Sequence, residues 1–66
     1  MNLRINGQDA AHPEGLTVEA LLAAYGADLS AVVVELNERI IPREHWQDMA
    51  LKEGDRLEIV SFVGGG

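Results

Sequence analysis

The chain has 66 residues and no cysteine, and eleven acidic against five basic residues give it a formal charge of −6 at pH 7. A chain this short buries only about 60% of the surface its unfolded form exposes, which suits binding, carrying or presenting better than a deep catalytic cleft. Without cysteine there is no disulfide, thiolate metal site or thiol nucleophile, and the acidic surface disfavours nucleic acid and anionic lipid; it either steers the chain toward a basic partner or simply keeps a small protein in solution.

Met1, Leu3 and Ile5 alternate with Asn2, Arg4 and Asn6, the period of a strand with one buried face. Asn6-Gly7 is a strong hairpin signal, because a type I′ turn requires positive φ at both central residues. A second strand over about residues 8–12 is expected to pair back. Pro13-Glu14-Gly15 breaks the pattern, and Thr17 is placed to cap a helix over 18–25. Leu16 and Leu21 have hydrophobic-staple spacing, and Val18, Leu21, Leu22 and Tyr25 fall on one apolar stripe. Gly26 stands where a glycine ends a helix.

Val32 to Leu36 reads as a third strand, turned at Asn37-Glu38 into Arg39-Ile40-Ile41 and stopped by Pro42. Residues 43–49 are expected to form a turn or short helical segment, and Lys52-Glu53-Gly54-Asp55 a tight turn. The last strand covers residues 56–63, with Leu57 and Ile59 on one face and Glu58, Val60 and Phe62 on the other. The expected fold is α+β: a mixed sheet of four to five strands packed on one main helix, with its other face open. A helical crossover implies some parallel pairing, so the architecture is a ubiquitin-like β-grasp. Residues 1–63 are taken as the domain, and 64–66 as a flexible glycine tail.

Three consecutive glycines at a chain end arise by chance in roughly one chain in three thousand, at an average glycine frequency of about 7%. Lacking a Cβ, Gly64, Gly65 and Gly66 suit a tail that threads through a channel too narrow for larger residues. An ionised carboxylate at Gly66 is a poor electrophile, and acyl transfer from it requires prior activation. No phosphate-binding loop of the type G-x-x-x-x-G-K-[ST] occurs, so activation is expected from a partner and the chain itself is not expected to be an enzyme.

Asn6-Gly7, Leu21-Leu22, Val32 to Asn37, Ile41-Pro42-Arg43, Trp46, Gly54-Asp55-Arg56 and the glycine tail together resemble the ThiS family of sulfur carriers in thiamin biosynthesis over essentially the whole chain. The resemblance implies that a ThiF-like adenylyltransferase uses ATP to adenylate the Gly66 carboxylate. A sulfur donor, ultimately a cysteine desulfurase, then converts it to a thiocarboxylate, and thiazole synthase takes the sulfur. ATP belongs to the activating enzyme; the chain itself is expected to bind no cofactor. Two departures stand out: Glu38 occupies a position often held by glycine in the family, and three terminal glycines replace the more usual two.

Val60 and Phe62 point to the face the helix leaves open, where with Val33 they would form a docking patch for partners; ordinary edge packing is the plain alternative. Trp46 is read as a lid on the core rather than an interface anchor. His12 and His45 lack metal-ligand spacing and are expected at the surface, while Arg4, Arg39 and Arg56 are expected to pair with acidic neighbours. The apolar runs are too short to cross a membrane, and no basic stretch leading into an apolar one opens the chain, so a cytoplasmic location is expected. Other readings are a carrier for another pathway, such as molybdopterin or cysteine, a protein modifier, or a non-catalytic ubiquitin-like interaction module.

Overall fold

The computed structural model describes residues 1–62. Strands β1 (Asn2–Ile5) and β2 (Gln8–Ala11) lead to helix α1 (Val18–Ala24); β3 (Val32–Leu36), β4 (Arg39–Ile40) and β5 (Arg56–Ser61) follow, with single 3₁₀ turns at Leu29–Ala31 and Arg43–His45. The five strands form one sheet in the order β2-β1-β5-β3-β4. β1 and β5 run parallel, with Arg4 opposite Arg56 and Ile5 opposite Leu57, whereas the β1–β2, β3–β4 and β3–β5 pairs are antiparallel. The expected mixed sheet on one helix is what the chain adopts.

Local chemistry explains the elements. Asn6 and Gly7 both take positive φ, 51° and 81°, as a type I′ turn demands. The Thr17 hydroxyl accepts from the Ala20 amide at 3.2 Å, while the Val18 and Glu19 amides donate to the carbonyls of Met49 and Trp46. The first donors of α1 are therefore all satisfied. At its other end Gly26 adopts φ 69°, with the Gly26 amide bonded to Ala23 O and the Ala27 amide to Leu22 O, which is a Schellman motif. Asp28 accepts from both the amide and the hydroxyl of Ser30, and these bonds hold its exposed carboxyl below the usual carboxylate value.

The core lies between α1 and one face of the sheet. Leu3 and Ile5 of β1, Val32, Val34 and Leu36 of β3, and Leu57 of β5 meet Val18, Leu21 and Leu22 of the helix. Trp46 and Leu51, from the long connection before β5, close the rim. Trp46 is only 3% exposed, and its indole Nε1 donates to Ile41 O at 2.9 Å, so this amphipathic ring acts as the core lid expected of it.

Several expectations need correction. Tyr25 is not part of the buried stripe: it is the C-cap residue, 49% exposed, and its ring lies against His12 with its hydroxyl 3.3 Å from Nε2. Tyr25 keeps helical backbone angles, φ −89° and ψ 0°, but stands at the very end of α1, where its ring reaches His12 just after β2 instead of the core. His12 is correspondingly half-buried rather than fully at the surface. β4 ends at Ile40, although the Ile41 amide still donates to Val34 O at 2.9 Å. β5 ends at Ser61, and Val63 lies outside the described residues. The arginine pairs do not form: among the described residues the only charge contact within 4.0 Å joins the Met1 ammonium and Glu14, at 3.9 Å.

Two predictions follow from packing and backbone geometry. Trp46→Ala is expected to cost ~3–5 kcal/mol, enough to abolish cooperative urea unfolding in a domain this small, whereas Trp46→Phe should retain the transition at a lower midpoint. Glu38 sits at φ 72° beside Asn37 at φ 50°, a left-handed conformation that disfavours a residue with a long side chain. Glu38→Gly should therefore stabilise the domain by roughly 1 kcal/mol and raise its melting temperature by about 4–8 °C in a calorimetric scan.

Candidate functional site

β5 is the central strand and the element that precedes the glycine tail, so whatever holds β5 also fixes where that tail begins. Its two flanks are built differently. Toward β3, backbone pairing runs the whole length of the strand, from Leu36 opposite Leu57 to Val32 opposite Ser61, and the Phe62 amide adds a further bond to Ala31 O at 2.7 Å. Toward β1, regular pairing stops at Ile5 opposite Leu57, because the chain turns away at Asn6.

There the Asn6 side chain replaces the missing backbone. Its Oδ1 accepts from the Ile59 amide at 2.7 Å, and its Nδ2 donates to Ile59 O at 3.3 Å. An asparagine carboxamide carries one donor and one acceptor side, so it can mimic a peptide group and extend a ladder by one step. Asn37 braces the start of β5 in a different way: its Oδ1 accepts from the Arg56 amide at 3.0 Å, and its Nδ2 donates to the Asp55 carboxylate Oδ1 at 3.0 Å. Asp55 in turn accepts from the Lys52 amide at 2.8 Å through Oδ2, closing the turn before the strand. Neither role was legible from the sequence, where both asparagines read only as turn formers; their clue is that each immediately follows a strand adjacent to β5.

The sheet's second face has no helix upon it. Across β5 and its neighbours it is arranged in rows. Arg4 and Arg56 are opposed in one row, and Glu58 and Glu35 in the next, with Ile40 opposite Glu35 on β4. Val60 and Val33 are opposed in the third row, and Phe62 follows. Val60, Phe62 and Ile40 are 51%, 58% and 67% exposed, and Val33 is half-buried. The structure therefore brings together Val33, Val60 and Phe62, three side chains singled out from strand alternation, and adds Ile40 on the same face. Ile40 escaped notice because its face depends on the β3–β4 register, which a short strand does not announce. A shallow recess of about 250 Å³ opens between Glu35, Glu38, Arg56 and Glu58.

Gly64, Gly65 and Gly66, the remaining candidate residues, lie outside the described residues. Among the described residues no group of three or more His, Asp or Glu side chains is arranged to hold a metal ion, and no helix is long and apolar enough to cross a membrane. The N-terminus of α1, already bonded to protein acceptors, offers no free amides to an anion.

Comparison with known proteins agrees with this architecture. A model of the ThiS family matches residues 3–66. A sulfur carrier protein ThiS from Bacillus subtilis is 40% identical over 97% of this chain and 98% of its own length. A thiazole synthase from Paramagnetospirillum magneticum is 46% identical over the whole chain, which spans 20% of that longer protein. The crystal structure of a thiamine biosynthesis protein, ThiS from Geobacter metallireducens, superimposes with a TM-score of 0.86 at 39% identity, covering 100% of both chains. With the family match extending over nearly its whole length and the β-grasp sheet in common, the chain belongs to the ThiS family.

Proposed function

We propose that the protein carries sulfur for thiamin biosynthesis as a thiocarboxylate at Gly66, and that partner enzymes supply the catalysis. The observation that carries this reading is the family match through residue 66, which places the glycine tail within the matched segment. Physical chemistry sets the order of steps. The Gly66 carboxylate attacks the α-phosphate of ATP, expelling pyrophosphate and forming an acyl-adenylate. The terminal sulfur of a persulfide on a donor protein then displaces AMP at the acyl carbon. A second thiol attacks the donor's own sulfur in the resulting acyl disulfide, so that the thiocarboxylate leaves and the donor ends as a disulfide. The first step needs a ThiF-like adenylyltransferase, and a cysteine desulfurase is the ultimate sulfur source.

Thiazole synthase is the proposed acceptor. Its support is that thiazole synthases from Paramagnetospirillum magneticum and Magnetococcus marinus contain a segment similar to this chain, 46% and 35% identical. Val60, Phe62 and Val33 form the proposed docking patch beside the tail, and Gly64 and Gly65 thread the partner's channel. Thiolate held as a thiocarboxylate stays nucleophilic yet localised, and a chain without cysteine has no thiol of its own to divert it.

Intact-mass measurement after incubation with a ThiF-like enzyme, ATP and a sulfur donor tests the reading. Replacement of one oxygen by sulfur is expected, about 16 Da by the difference in atomic mass, and deletion of Gly66 should abolish it. An unchanged mass under conditions that convert an authentic sulfur carrier would favour a plain interaction module instead.

A further inference from the structure

The charged rows on the open sheet face carry information that the apolar patch alone does not. Glu35 and Glu58 are directly opposed on β3 and β5, which places their Cβ atoms about 5 Å apart. Like charges in that relation destabilise a sheet. Among the described residues neither carboxylate has a cation within 4.0 Å, even though Arg56 stands two residues before Glu58 on the same strand face and lines the same recess. Apolar groups frame the pair: Ile40 stands beside Glu35, and Val33 and Val60 form the next row, followed by Phe62. Two carboxylates at the rim of a recess, bordered by exposed apolar side chains, match the chemistry of one residue type. An arginine can lay its aliphatic stem on apolar surface while its planar guanidinium donates to two carboxylates at once.

We propose that Glu35 and Glu58 receive an arginine from the protein partner that docks on this face, fixing the partner's register along β5 and hence the direction in which the tail leaves toward it. The inference rests on the carrier reading, with thiazole synthase as the docked partner. Charge complementarity supports this occupant over a second copy of the chain: at −6 per molecule, two copies carry like net charge and repel, whereas a partner that presents cationic side chains is attracted. The neighbouring Arg4–Arg56 row gives the face a polarity, so a partner turned end for end would set arginine against arginine.

The test compares the full-length wild-type chain with the Glu35→Gln/Glu58→Gln and Val60→Ala variants. Binding to the thiazole synthase of the same organism is measured calorimetrically at 50 and 300 mM salt, and melting temperature is measured alongside. The double glutamine variant is expected to melt no lower than wild type, yet bind at least tenfold more weakly and lose most of its salt dependence. Val60→Ala should weaken binding while keeping that salt dependence. Wild-type affinity in the double variant overturns the proposal, as does equal weakening at both salt concentrations or failure of the wild-type chain to bind. Sulfur loading, read by intact mass, separates the two levels. A wild-type chain that gains sulfur but shows none of the expected binding leaves the carrier reading standing without this contact.

Discussion

The structure depends on how β5 is held at the centre of the sheet. It must pair parallel with β1 on one side and antiparallel with β3 on the other, while turning Leu57 and the half-buried Ile59 toward the core and exposing Glu58, Val60 and Phe62. Backbone pairing satisfies one flank completely. The other flank is completed by a side chain, because β1 has to turn back into β2 after only four residues. Asn6 reconciles these demands: its backbone makes the hairpin turn while its carboxamide continues the ladder onto Ile59. One residue thus serves both the local turn and the long-range sheet.

The same arrangement divides the molecule by face. One side of the sheet contributes Leu3, Ile5, Val34, Leu36 and Leu57 to a core closed by α1 and by Trp46. The other side carries rows of arginine, glutamate and valine with no helix upon them, and it is this side that the proposed docking uses. Strand alternation alone separates these duties, since successive residues of β5 face opposite ways.

Much of this was legible in the sequence for identifiable reasons. The hairpin, the caps of α1 and the core faces of β1, β3 and β5 follow from short-range rules, and Asn6-Gly7, Thr17 and Gly26 obey them. The fate of Tyr25 was not legible, because Gly26 marks where the helix ends but not whether the last side chain of the stripe packs inward or reaches across to His12. The exposure of Ile40 and the opposition of Glu35 and Glu58 were hidden for another reason: both are properties of register between strands. Glycine composition pointed to the tail as the working end, and the family match includes it.

A central strand contributed by the last segment of the fold imposes an order on folding. The hairpin, the helix and the β3–β4 pair can each form from neighbouring residues, but they remain two separate half-sheets until β5 inserts between them. Asn6 meets Ile59 across 53 positions of sequence, so closure is a non-local event with a substantial loop entropy to overcome. During synthesis both inner edges, β1 and β3, wait unpaired until the final strand emerges. The segment that leads into the proposed sulfur-bearing tail therefore also completes the domain, which couples competence for loading to completion of folding.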